Sequence, residues 1–182
     1  MPLRQRLVDA PGVSEILGTM AAQVIERCQG PAPVVLVGIQ RRGVELSERL
    51  AALMTPRLDS PLALGKLDIT LYRDDLQTIG PRPMVAETVL PASLDGATVV
   101  IVDDVLFTGR TVRAALDEIA DFGRPRRVLL AVLVDRGGRE LPIHPDIVGV
   151  THQAGPQDLV EVKISELDGE DAVYVVQNGG DS

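Results

Sequence analysis

The chain has 182 residues, 45% of them hydrophobic, enough for one well-cored domain over 1–182 and a stretch for two. A formal net charge of −8 opposes non-specific attraction to nucleic acid. No apolar run approaches the roughly 20 residues of a membrane span, no signal-peptide pattern opens the chain, and the lone Cys28 excludes an internal disulfide or a cysteine zinc site, so a soluble cytoplasmic protein is the plain reading.

Aromatic residues make up only 2%, so the core must be built from Val, Leu, Ile and Ala. In chain order, residues 14–28 predict an amphipathic helix with Ser14 as candidate N-cap and Ile16, Met20 and Val24 along one stripe. Residues 34–39 form an apolar run of strand length, and 44–54 have helical spacing after Gly43. Residues 65–72 read as a further strand, and the polar, turn-rich stretch 74–83 as an exposed, mobile arm or hairpin. A buried strand over 99–102 leads to a helix over 110–122, closed by Gly123 and Pro125. Strands follow at 128–134, 147–150, 159–164 and 173–176, the last two separated by the turn-like DGED of 168–171. Continuous apolar strands interleaved with helices predict an α/β fold with a mainly parallel sheet flanked by helices.

The stretch VVIVDDVLFTGRT, residues 99–111, carries the chemistry. In such sheets ligands bind beyond the carboxyl ends of the strands, where Asp103 and Asp104 are expected. Thr108, Gly109, Arg110 and Thr111 then enter a helix whose free N–H groups and dipole suit a phosphate. Two adjacent carboxylates can accept from two neighbouring sugar hydroxyls, so the set fits a ribose 5-phosphate. Taken alone, the two acids fit a solvated turn before a capped helix equally well; with the TGRT after them, the ligand reading is stronger. Neither a Walker loop nor a dinucleotide fingerprint is present.

This stretch resembles the phosphoribosyl-pyrophosphate (PRPP) loop of type I phosphoribosyltransferases. LDITLYRDDL (67–76), GIQRRG (38–43), RAALD (113–117), LAVLVDRGGRELPI (130–143) and the DGED near the C-terminus resemble, more narrowly, the PyrR family of pyrimidine-operon attenuation regulators that are also uracil phosphoribosyltransferases. The similarity covers nearly the whole chain. It implies a type I phosphoribosyltransferase fold with a mobile hairpin arm and a small hood. It also implies a reaction, uracil plus PRPP giving UMP and pyrophosphate, and regulation through UMP-responsive binding of pyr leader mRNA.

By the resemblance, Asp103 and Asp104 hold the ribose hydroxyls, and Val105, Leu106, Phe107, Thr108, Gly109, Arg110 and Thr111 form the loop around the 5-phosphate. Residues 38–43 supply backbone N–H groups and Arg42 for pyrophosphate. Arg41 stands beside Arg42 in the nucleotide site, with its side chain expected at the surface. Tyr72, Arg73 and Asp74 belong to the arm, with Arg73 a catalytic counter-charge. Arg136 and Val160 flank the base. Mg²⁺ arrives with PRPP rather than on a protein metal site, since no dedicated ligand cluster is visible. A homo-oligomer, dimer or higher, is implied as well.

The RNA surface implied by the family is a Thr and a His four apart on the first helix, with two Arg after the third strand. Here Thr19 and Arg139 match, whereas Gln23 and His144 stand where His and Arg are usual, and Gly138 where a His is usual. THQAG at 151–155 replaces a usual Pro-Thr-Ser segment near the base, and Phe107 a usual Tyr. Three alternatives stay open: a phosphoribosyltransferase for another base, a nucleotide-sensing RNA regulator with negligible catalysis, against which the intact PRPP loop argues, and an enzyme that has lost RNA binding. Cys28 and His152 read as a helix-side thiol and a loop histidine.

Overall fold

The computed structural model describes residues 1–70 and 87–178. Five parallel strands build the main sheet: β2 (Val34–Ile39), β3 (Leu62–Leu67), β4 (Thr98–Leu106), β5 (Arg127–Asp135) and β6 (Ile147–Thr151), in the order β3-β2-β4-β5-β6. Continuous Val/Leu/Ile runs are what a sheet buried on both faces requires. On one face α1 (Ala10–Arg27) and α2 (Arg42–Met54) pack against Leu36, Val100, Val102 and Leu133. On the other, α3 (Arg110–Ala120) packs against Val37, Val99, Ile101 and Val132. Each fully buried aliphatic side chain is worth about 1.5–3 kcal/mol.

A second sheet is antiparallel, in the order β1-β8-β7, from β1 (Leu3–Val8), β7 (Leu159–Lys163) and β8 (Ala172–Gln177). With the single turn α4 (Ser165–Asp168) it forms the hood. Two arginines one heptad apart on α2 bind it. Arg42 donates to both carboxylate oxygens of Asp168, at 3.2 and 2.9 Å. Arg49 donates to both oxygens of Asp171 at 2.9 Å, and also reaches Glu166 and Ser165.

Three predicted boundaries move and one strand is new. The strand expected over 99–102 is β4, which runs on to Leu106, so the two acids expected beyond its end lie within it. Helix α1 begins four residues before Ser14, capped by Asp9, whose carboxylate accepts from the Gly12 N–H at 2.9 Å. The strand expected at 65–72 is β3, which stops at Leu67 because Asp68 turns back to accept from the Thr70 N–H at 2.9 Å. No element was expected at β1, whose register pairs Leu3 with Gln177. The stretch predicted to form the arm, 74–83, lies outside the described residues.

Candidate active site

Strands β2 and β3 run parallel and end level with each other, and β4 runs on past them to Leu106, so the turns that leave them share one edge of the sheet. Beyond β2, a Cβ on Gly38 would stand 2.5 Å from the Gly43 carbonyl, and one on Gly43 would stand 2.4 Å from the Val102 carbonyl. Only glycine lets residues 38–43 fold so tightly onto β4. The turn contains a cis peptide between Gln40 and Arg41. It delivers the N-terminus of α2, which has no side-chain cap, to the edge. Beyond β4, Gly109 takes a left-handed φ of 94° and starts α3, whose N-terminus lacks a cap from Gly109 as well. The Arg110 N–H donates to the Thr108 hydroxyl at 3.2 Å.

Between these two helix starts lie Asp103 and Asp104. The Asp104 N–H donates to Asp103 Oδ1 at 2.9 Å, and the Val105 N–H to Asp104 Oδ1 at 2.8 Å, which orients both carboxyls. Asp103 is buried and Asp104 half-buried. Burial, reinforced by the neighbouring Asp104, pushes the Asp103 carboxyl well above the ordinary carboxylate range. A cavity of about 300 Å³ opens here, lined by Gln40, Arg41, Arg42, Asp68, Thr70, Asp103, Asp104, Val105 and Thr111, among others. Arg42 is held charged by its hydrogen bonds to Asp168, and Asp168 is in turn held below its usual value.

The structure thus brings Arg41, Arg42, Asp103, Asp104, Val105 and Thr111 around one cavity, with the Arg41 side chain exposed as expected. The turn carrying Thr108, Gly109 and Arg110 adjoins it. Arg110 pairs with Glu140 at 3.0 Å. The Leu106 side chain instead belongs to the apolar core beneath α3, leaving only its backbone to the loop. Phe107 is exposed, with the Arg136 guanidinium 3.8 Å from its ring centroid. Arg136 itself is buried and donates to the carbonyls of Asp158 and Gly155 at 2.7 and 2.8 Å. Burial lowers its pKa from the ordinary arginine value. Val160 is half-buried on β7 in the hood and packs on the core between α1 and the sheet. Tyr72, Arg73 and Asp74 lie outside the described residues.

Two acids escaped the sequence reading. Asp68, 8% exposed, lines the cavity with Oδ2 lacking a partner among the described residues. Asp135 accepts from the Gly137 N–H at 3.0 Å and from Arg139 at 2.8 Å, fixing the turn after β5. Arg139 also donates to the carbonyls of Ile143 and Phe107. Thr19 back-bonds to the Glu15 carbonyl, and Gln23 and His144 are exposed.

A family model described as phosphoribosyl transferase domain matches residues 4–163. A relative named Bifunctional protein PyrR in Thermus aquaticus is 47% identical over 180 residues, covering 99% of each chain. The protein of the same name in Chloroflexus aurantiacus is 50% identical over 173 residues, covering 95% of each. The chain belongs to the PyrR family. Family membership and fold, expected from VVIVDDVLFTGRT and LDITLYRDDL, are thereby shown. Among solved structures, a hypoxanthine phosphoribosyltransferase from Staphylococcus aureus matches with a TM-score of 0.69 at 19% identity, covering 96% of this chain and 92% of that one. One from Trypanosoma cruzi matches with a TM-score of 0.71 at 18% identity, covering 95% of both. At such identities the likeness establishes the fold, and the PyrR chains share it with purine-base enzymes.

Proposed function

We propose that this protein transfers the 5-phosphoribosyl group of PRPP to uracil, forming UMP and releasing pyrophosphate, and that it binds a pyr leader RNA in response to UMP. The observation that carries the enzymatic half is the pair of helix N-termini flanking Asp103 and Asp104 on one cavity. PRPP is a ribose with a phosphate at one end and a pyrophosphate at the other, and it presents two hydroxyls between them. The start of α3 suits the 5-phosphate, the start of α2 with Arg42 the pyrophosphate, and the two acids the hydroxyls.

Breaking the anomeric C–O bond leaves oxocarbenium-like charge on the ribose and negative charge on the pyrophosphate. Catalysis is then mostly positioning and electrostatics. Asp104 stands where it can hold a hydroxyl and stabilise the cationic ring. Asp103, favoured in its protonated form by burial, can donate to the neighbouring hydroxyl. Arg42 balances charge on the departing pyrophosphate. The α2 backbone N–H groups do so without reorganisation, while those of α3 hold the 5-phosphate.

The donor set also fits Mg²⁺. Asp68 and Asp104 would offer hard oxygen ligands, and Asp68 Oδ2 has no partner among the described residues. In this reading the ion would enter with PRPP, held mainly by its oxygens and water, with these carboxylates completing its shell. When bound, Mg²⁺ neutralises phosphate charge.

Asp104→Asn should lower uracil-dependent pyrophosphate release at least tenfold, about 1.4 kcal/mol in barrier. Wild-type turnover in the folded variant overturns the assignment. Assaying uracil against other bases with PRPP separates base choice from PRPP use. A second reading, an enzyme without RNA recognition, is favoured by Arg139, which already makes three hydrogen bonds inside the protein.

A further inference from the structure

Behind the cavity wall lies a buried acid that no step of phosphoribosyl transfer uses. Glu118, on α3, is only 4% exposed. Its Oε1 accepts from the Thr88 hydroxyl at 2.7 Å. The same hydroxyl oxygen accepts from the backbone N–H of Asp68 at 3.0 Å. Asp68 lines the cavity with Asp103 and Asp104, and its carboxylate accepts from the Thr70 N–H and hydroxyl.

The chain of bonds has one direction. A threonine hydroxyl has a single proton, and Glu118 is the near acceptor, whereas the Asp68 carbonyl is 3.5 Å away. With that proton committed to Glu118, a hydroxyl lone pair faces the Asp68 N–H. Glu118 therefore fixes the Thr88 rotor, and Thr88 fixes the backbone where β3 ends. Packing alone does not account for an acid here. Ala114, Ala115 and Ile119 are its buried neighbours on α3, and Glu118 Oε2 has no partner among the described residues. A buried, half-satisfied carboxyl is less favourable for stability than an aliphatic side chain of similar volume.

We propose that Glu118 is a positioning residue for PRPP, acting through Thr88 to hold the Asp68–Thr70 wall in its binding geometry. The role rests on the phosphoribosyl-transfer reading above. Burial raises the Glu118 carboxyl, and the nearby Asp68 and Asp121 add to the rise while the Thr88 bond opposes it. Oε1 can accept in either protonation state, so glutamine can serve in its place.

The experiment compares Thr88→Val, Glu118→Leu, their double variant and Glu118→Gln with wild type. Steady-state kinetics for each substrate, melting temperature and exchange of the Asp68 amide are the readouts. In Thr88→Val and Glu118→Leu the KM for PRPP should rise roughly tenfold, with kcat and the uracil KM within about twofold of wild type. The Asp68 amide should lose protection in both. The double variant should be no worse than either single, since both break one chain of bonds. Glu118→Gln should restore the PRPP KM, and Glu118→Leu should melt no lower than wild type. An unchanged PRPP KM, an additive double variant, or a glutamine variant as impaired as leucine overturns the relay while leaving the enzyme reading standing. A wild type that does not consume PRPP overturns the enzyme reading and the relay with it.

Discussion

Asp103 and Asp104 are adjacent in sequence yet electrostatically unlike. Asp103 is buried, and burial first, then the charge of Asp104, raises its carboxyl far above the ordinary value of about 3.9. Its folded form holds a proton that the unfolded chain releases near that ordinary value. Stability attached to this group is therefore complete at acid pH and falls as pH rises through the window up to the raised value. Asp103→Asn keeps the acceptor for the Asp104 N–H and removes the titration. At neutral pH it should melt higher than wild type, by roughly 2–4 °C per kcal/mol recovered, while losing turnover. Melting curves from pH 4 to 8 check this, and parallel profiles for the two proteins refute it. The acid pair was legible because two adjacent carboxylates interrupting an apolar run have few innocent explanations. Asp68 and Glu118 were not. Each is a single acid beside ordinary residues, and its importance arises from a hydroxyl 20 and 30 residues away respectively.

At the scale of elements, the parallel strands announced themselves through unbroken aliphatic runs, and the glycine turns at 38–43 and 108–111 through their motifs. The hood was harder to read. Strand β1 is LRQRLV, exposed over most of its length, with the Arg4 guanidinium 3.6 Å from the Tyr174 ring centroid. A charged strand stabilised by a cation–π contact lacks the apolar signal on which strand prediction depends. Nor did the sequence reveal that DGED is an anchor. Arg49 holds Asp171 and Glu166 below their usual values, by its hydrogen bonds to each. Groups depressed in this way add stability above the ordinary carboxylate range, and it is lost as pH falls through the depressed values. Arg49→Ala should destabilise the protein by about 2 kcal/mol at neutral pH, the order expected for charge-assisted bonds to the half-buried Asp171, with exposed Glu166 adding little. The gap to wild type should close on acidification. Because Val160 rides on the hood, the uracil KM should rise more than the PRPP KM. Denaturant titrations at pH 7 and 3 and a two-substrate kinetic comparison test these points; an equal rise in both KM values separates the hood from base binding.

For the molecule as a whole, the proposed RNA binding sets a requirement on an acidic chain. Thr19 and Gln23 lie on α1, beside Ile16 and Met20, the two side chains that close on Gly149 of β6. His144 lies beyond β5, by Ile143, which packs under α3 on the opposite face of the sheet. Thr19 and Gln23 thus lie on one side of the main sheet and His144 on the other. Arg139 braces the turn between them through Asp135, Phe107 and Ile143. With a net charge of −8, any affinity must come from a local surface. The family pattern places His and Arg where this chain has Gln23 and His144. Restoring them, as Gln23→His with His144→Arg, should strengthen binding to a pyr leader hairpin and leave uracil turnover unchanged, since neither residue lines the catalytic cavity. Affinity should fall with salt, each neutralised phosphate contributing a slope of roughly −0.7 for single strands. UMP should tighten it by a coupling of about 1–3 kcal/mol, because the turn with Arg139 and His144 follows β5, which pairs directly with β4 and its acids. Filter-binding titrations of wild type and double variant, with and without UMP, measure all three effects. Binding by the double variant alone would place the loss of RNA recognition at these two positions. If neither protein prefers the hairpin to a scrambled control, the regulatory half of the proposal fails and the phosphoribosyltransferase stands by itself.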